Sequence, residues 1–156
     1  MDIVVKIILD NWFNTVNQAD KLLDSLSDEQ LMKDVAPGRN SGIYLLGHLT
    51  AVHDHMLPLL GFEEREYPGF LDVFIKNPDK SGQQMPSLSS LRAAWSTTNA
   101  KLEKHFRSLE PADWLMKHTS VSAEDFAKEP HRNRLNVVLS RTTHLSNHLG
   151  QLLLLK

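Results

Sequence analysis

Apolar residues recur every three or four positions in four long segments of the chain, which is the period of an α-helix with one buried face. The first segment predicts a helix that ends near Ser25. Its stripe consists of Val4, Ile8, Trp12, Val16, Ala19, Leu22, Leu23 and Leu26. Because Val5 and Ile7 make the opening turns apolar on further sides, this start either packs against another subunit or lies deeply buried in one bundle.

The second apolar segment predicts a helix that begins at Asn40 or Ser41, since either residue suits a helix N-cap. Pro58 is expected to end or kink this helix, because proline cannot donate a backbone hydrogen bond. The core face of the second helix comprises Leu45, Leu49, Val52, Met56 and Leu59.

The third and fourth segments have the same helical spacing. The third helix is expected to begin at Ser87 or Ser89 and to end near Ser108, and the fourth to run from near Asn133 to the end of the chain. The third stripe contains Leu88, Leu91, Trp95, Thr98, Leu102 and Phe106. The fourth contains Leu135, Val138, Thr142, Leu145, Leu149 and Leu152.

The connections between these segments also carry local signals. Ser27 with Gln30 has the form of a capping box. Pro111 suits a helix first turn and Ser122 begins another capping pattern, and both are expected to form short connecting turns. Residues 61–86 are rich in proline and glycine, yet their aromatic side chains favour an ordered flap that forms a wall of a site, with a short helix within 70–75. Four amphipathic helices with no alternating pattern predict an all-α, four-helix bundle with long second-to-third and third-to-fourth connections.

The composition narrows the possible classes of function. A chain of 156 residues is expected to form one domain, 1–156. Lys and Arg number 17 against 19 for Asp and Glu, with no basic stripe, so nucleic acid is not an expected partner. The absence of cysteine excludes disulfides, cysteine-bound zinc and a protein thiol nucleophile. With no leader pattern and no apolar run of membrane-spanning length, no membrane partner is expected, and the cytoplasm is the expected location.

Two histidines near the C-terminus, His144 and His148, are four residues apart in the fourth helix. Four residues advance a helix by about 6 Å and about 40° around its axis, so both imidazoles lie on one face and can bind one ion. His48, in the second helix, is the most promising third ligand. Three imidazoles from two helices form an open metal site, whereas the alternative reading of the pair is two satisfied polar histidines.

Several neighbouring residues are weaker candidates. His55 lies two turns beyond His48 and could line a pocket, and Asp54 could orient a ligand imidazole, although it could equally be solvated. Gln151, one turn beyond His148, could contact a metal-bound water or pack between helices, and Gly150 is expected to allow a close helix approach. The remaining histidines are not expected to act: His53 on an exposed flank, and His105, His118 and His131 without partner spacing.

The motif Asn40-Ser41-Gly42-Ile43 leading into Leu46-Gly47-His48-Leu49, followed by His144-x-x-x-His148-x-Gly150-Gln151, resembles the DinB/YfiT-like superfamily. The resemblance covers nearly the whole chain. It implies a four-helix bundle with a divalent-metal site whose ligands are His48, His144 and His148. Zinc and nickel are the leading metals, although imidazole also suits copper and iron. Leu149 departs from the family pattern, which often has arginine there, so a substrate contact by that arginine is not expected.

The sequence is compatible with three functions. The resemblance favours a metal-dependent enzyme that uses a low-molecular-weight thiol, such as bacillithiol, mycothiol or glutathione, on an electrophilic small molecule. The second is a metal-dependent hydrolase in which a water on the metal is the nucleophile. The third is a non-catalytic, stress-associated metal-binding homodimer. No nucleophile elbow, phosphate-binding glycine loop or His-Glu-x-x-His motif is present.

Overall fold

The computed structural model describes residues 3–156, and four long helices dominate it. The helices are α1 (Ile3–Ser25), α2 (Asp28–Leu31), α3 (Gly42–Leu59), α4 (Leu88–Ser108), α5 (Pro111–Trp114), α6 (Ala123–Lys128) and α7 (Arg134–Leu152). A π-helical turn spans Asp72–Lys76, and a 3-10 turn, Leu153–Leu155, follows α7. Residues 3–156 form no β-strand, so the all-α expectation is confirmed.

The helix starts follow the capping signals. Ser41, not Asn40, caps α3 and accepts a hydrogen bond from the Tyr44 amide, and Ser87 caps α4 in the same way. Asn133 caps α7. Ser27 and Gln30 form the complete capping box that the sequence predicts. Each cap satisfies a first-turn amide that otherwise lacks an intrahelical partner.

The direction of each long helix follows from a few contacts. Arg92, near the start of α4, donates to the carbonyls of Leu23 and Leu26 at the end of α1, so α4 runs antiparallel to α1. Leu155, just after α7, lies against Gly42 at the start of α3, so α7 runs antiparallel to α3. Gly42 also lies against Leu31, which follows soon after the end of α1, so α3 begins at the end of the bundle where α1 finishes and runs antiparallel to α1. The order is therefore up, down, down, up. Because α3 and α4 are parallel, the chain must return along the bundle between them, which explains the long connection over residues 60–87.

Helix α3 is the most buried of the four. All five residues of its predicted core face are buried, but so are side chains on its other sides, including Tyr44, Leu46 and Leu57. It contacts both α4 and α7, and the Asp72–Lys76 turn covers a third side. The central helix therefore carries polar residues that the surrounding elements must satisfy.

The start of α1 differs from the predicted stripe. Val5 and Leu9 lie in the core, whereas Val4 is 56% exposed. Positions 4 and 5 both fit a helical stripe that passes through Trp12, so the periodicity left the phase open by one residue. Ile7 is also exposed, so deep burial of this start within one bundle is wrong. No helix among residues 3–156 is long and apolar enough to cross a membrane.

Candidate metal centre

Three histidine side chains from α3 and α7 converge on one point. The Nε2 atom of His144 lies 3.1 Å from Nε2 of His48 and 3.1 Å from Nε2 of His148. One ligand atom from each residue lies within 4.8 Å of the others. Neighbouring nitrogen ligands of an ion bound at about 2.0–2.1 Å are about 2.9–3.4 Å apart, so the two short separations fit a divalent metal.

The antiparallel packing of α3 and α7 creates this convergence. His144 and His148 project from one face of α7 because they are four residues apart, and His48 projects from α3 across the gap. All three side chains are only partly buried, so the cluster is not sealed within the core. The ligand set that the sequence predicts is therefore brought together by the fold.

The ring of His48 is fixed from the connection between α3 and α4. Its Nδ1 donates to the carbonyl of Phe74 at 2.8 Å. A carbonyl can only accept, so Nδ1 carries the proton and Nε2 presents a lone pair to the cluster. The hydroxyl of Tyr44 donates to the carbonyl of Asn77 at 2.8 Å and lies 3.3 Å from the Phe74 carbonyl. The connection thus acts as the wall that its aromatic residues suggested.

Gly47 lets that wall approach the helix. A Cβ atom built on Gly47 would lie 2.2 Å from the Phe74 ring, which is closer than any real contact. Phe74 itself is fully buried. The close approach expected at Gly150 is wrong, because a Cβ atom there would meet nothing within 4 Å. Gly150 lies on an outward face of α7, which periodicity around the histidines did not reveal.

His148 is oriented by its own helix. Its Nδ1 donates to Oε1 of Gln151 at 2.8 Å, one turn further along α7. This contact leaves Nε2 of His148 free to act as a ligand, as in many metal sites where a second residue holds the imidazole. Gln151 therefore contacts the ligand ring, which neither of its two predicted roles described.

The protonation states suit a metal. Burial lowers the pKa of His48, and burial together with the neighbouring His148 and His48 lowers the pKa of His144 to about 4. Both imidazoles are then neutral at pH 7, the state that a metal ligand requires. Nitrogen lone pairs brought this close repel unless a cation or proton lies between them, so the donor set fits a divalent ion.

The model of the DinB superfamily matches residues 14–152 of the chain. The chain belongs to the DinB superfamily. The match includes all three histidines and every long helix except the first turns of α1. None of the curated proteins compared with the chain matches it significantly.

Two of the weaker candidates in this DinB protein are Asp54 and His55, and the structure gives Asp54 a different role from the predicted one. Asp54 does not orient a ligand ring: its two carboxylate oxygens accept hydrogen bonds from the backbone amides of Glu66 and Tyr67. It is 1% exposed and holds the connection that follows α3. His55 accepts a hydrogen bond from Arg65 at its Nδ1, 2.7 Å away, and the ring is partly buried.

His53 contradicts the expectation of an exposed flank, because it is completely buried. Its ring lies between Trp12 and Trp95, with centroid distances of 4.8 and 4.9 Å. Its Nδ1 donates to Oδ1 of Asn99, whose amide group in turn donates to the carbonyl of Trp95. Packing against α1 and α4 buries this position, which the residue pattern of α3 alone predicted to be exposed to solvent.

The other histidines lie outside the cluster, as expected. His105 stacks on Phe62 and contacts Glu63, His131 is exposed, and His118 lies in the connection between α5 and α6. Arg141, near the histidine cluster, was not among the residues predicted from the sequence. Arg141 precedes His144 by three positions on α7, so the spacing that identified the histidine pair could also have found it.

Proposed function

We propose that this protein is a divalent-metal-dependent enzyme in which a low-molecular-weight thiol attacks an electrophilic small molecule. The convergence of the three Nε2 atoms supports the metal, and the half-buried rings support access for ligands. A divalent ion held by these rings would act as a Lewis acid that ionises a coordinated thiol. The chain has no cysteine, so the thiol must come from outside.

The protein groups around the cluster favour a thiol over water as the nucleophile. The described residues place no carboxylate in the histidine cluster. Asp54 is close in sequence, but both of its oxygens are engaged by backbone amides. Hydrolysis would need a base for water, whereas a thiol has a reference pKa of only about 8.5 and requires less help. We therefore rank the hydrolase second.

We also propose that the protein acts in the cytoplasm. Low-molecular-weight thiols are kept reduced in the cytoplasm, so a thiol-using enzyme would act there.

Elemental analysis of protein purified without an affinity tag is the first test. We expect about one zinc or nickel per chain. The loaded protein is then incubated with bacillithiol, mycothiol or glutathione plus an electrophile, and separately with ester and amide panels. His144→Ala should abolish turnover, and the matched control His131→Ala, at an exposed histidine outside the cluster, should retain it.

The outcomes separate the candidate functions. Turnover that requires the thiol and His144 supports the proposal. Turnover on esters or amides without thiol would support the hydrolase instead. A bound metal with no turnover in any panel would favour the non-catalytic metal-binding protein.

We further propose that the protein forms a homodimer through the start of α1. Three apolar side chains there, Ile3, Val4 and Ile7, are each more than half exposed. Light scattering at micromolar concentration should give twice the chain mass, and Ile7→Glu should shift it toward the monomer. Met32→Glu, at an exposed apolar residue of comparable accessibility beyond the other end of α1, is the control. A monomer mass for the unmodified protein would refute this proposal.

A further inference from the structure

Arg141 lies on the same face of α7 as His144 and His148, three and seven residues before them. Its side chain is half-buried, and its Nε atom is buried without a hydrogen-bond partner. Within residues 3–156, no carboxylate lies within ion-pair distance of its guanidinium group. The spacing on α7 places its side chain beside the histidine cluster, one turn before His144.

Other arginines of the protein have partners for their guanidinium groups. Arg92 donates to two carbonyls and contacts Asp28, and Arg107 and Arg132 pair with Glu103 and Glu129. Burial alone lowers the pKa of Arg141, with no carboxylate to counter it. Nε of Arg134 is also buried without a partner, but Arg134 donates to the carbonyl of Asp113, whereas no described residue accepts a hydrogen bond from Arg141.

Two cations act on His55. Burial is the largest cause of the lowered pKa of His55, and the charges of Arg65 and Arg141 lower it further. Arg65 donates to His55 and has no carboxylate partner among the described residues. Asp54 raises the pKa of His55, but its oxygens are committed to the backbone. An unpaired, partly desolvated charge is unfavourable unless a ligand compensates it.

We infer that Arg141 forms an anion subsite beside the three histidines, which binds a carboxylate of the low-molecular-weight thiol. This inference rests on the proposed function. The planar guanidinium can donate two parallel hydrogen bonds to a carboxylate. Arg141 lies about 4.5 Å along the helix axis from His144 and about 10 Å from His148. A thiol of tripeptide size can span this interval between its sulfur and a carboxylate.

The test uses cobalt-substituted protein, in which a sulfur-to-cobalt absorption band reports thiolate binding. The probes are glutathione and its diethyl ester, which has the same thiol but no free carboxylate. We expect glutathione to bind the unmodified protein at least about tenfold more tightly than the ester, as for a charge-assisted hydrogen bond. Arg141→Gln should remove this preference while leaving cobalt stoichiometry and melting temperature unchanged or slightly higher. Arg107→Gln, which removes an exposed charge from α4, should keep the preference.

The outcomes distinguish this inference from the proposed function. Equal affinity for glutathione and the ester, or a preference that survives Arg141→Gln, would overturn the anion subsite while the thiol reaction stands. If no absorption band forms, calorimetry with S-methylglutathione, which has carboxylates but no free thiol, decides the question. Binding that Arg141→Gln abolishes would retain the anion subsite and reject the thiol reaction, and absent or Arg141-independent binding would reject the subsite.

Discussion

Two histidines on helix α3, His48 and His53, are chemically alike but lie in opposite environments. Both donate through Nδ1 to an oxygen, and burial lowers the pKa of both. Five residues turn a helix by about 140°, so the two rings face different neighbours. His48 faces α7, where Nε2 meets Nε2 of His144, and His53 faces α1 and α4, where two tryptophans enclose it.

The comparison shows that residue type and protonation state do not define a metal site. Nε2 of His53 is buried with no partner among the described residues, so it has a free lone pair but no second ligand beside it. Nε2 of His48 has the same lone pair, together with two converging imidazoles and partial exposure. Convergence and access therefore distinguish a ligand from a core histidine.

The largest expected effect comes from removing a cluster ligand. His144→Ala should reduce the bound metal from about one per chain to near zero, because two imidazoles remain and the central ring of the cluster is lost. Elemental analysis after dialysis measures this, with His131→Ala as the control. Full metal content in His144→Ala would contradict the site.

The opposite result is expected for His53→Ala. The change leaves a cavity between two tryptophans and an unpaired Asn99 oxygen, so the free energy of unfolding should fall by about 2–4 kcal/mol. Metal content should stay near that of the unmodified protein. Denaturant unfolding and elemental analysis on the same sample measure the stability and the metal content. Loss of metal without loss of stability would contradict a core role for His53.

The two histidine environments also predict a dependence on pH. The folded pKa of His53 is lowered to about 4, below its ordinary value near 6.5. The unfolded chain therefore binds more protons between these values, so stability is full above about pH 6.5 and falls as the pH drops toward 4. For His53 the loss is about 3 kcal/mol over this window.

Unfolding curves at pH 7 and near pH 4.5, with metal removed by chelator, measure this loss. His53→Ala should show a shallower dependence on pH than the unmodified protein. Equal dependence in the two proteins would indicate that His53 is not the titrating group. At a free metal concentration of 100 times the dissociation constant, the free energy of unfolding should rise further, by about 2.7 kcal/mol. This increment should also fade at low pH.

A matched pair of glycines gives the smallest expected effect. Gly47→Ala places a methyl group against the Phe74 ring, so stability should fall by about 1–3 kcal/mol and metal affinity should weaken as the Phe74 carbonyl shifts. Gly150→Ala meets open space in a helix and should stabilise the protein by up to about 1 kcal/mol. Melting curves and metal titration of both variants test the pair. Equal effects of the two substitutions on stability and metal affinity would show that the connection between α3 and α4 does not hold His48 in place.

Local patterns along the chain were enough to predict the long helices and the three histidines that converge. The three- and four-residue spacing defined the long helices because one helix face must meet the core, and the Ser27 and Ser122 caps were readable because they act within one turn. His144 and His148 could be paired for the same reason, since their geometry is local to one helix. His48 was predicted as the third ligand from its place in a second helical segment, and the family resemblance pointed to the same residue.

Which polar groups meet across elements depends on the packing of the helices. His53 and Asp54 are adjacent in the chain, yet one meets tryptophans from α1 and α4 and the other meets amides of the following connection. Gly47 rather than Gly150 is the close contact because the Phe74 turn folds back onto α3. Such contacts join residues far apart in sequence. They depend on helix order and direction, which periodicity along one helix does not encode.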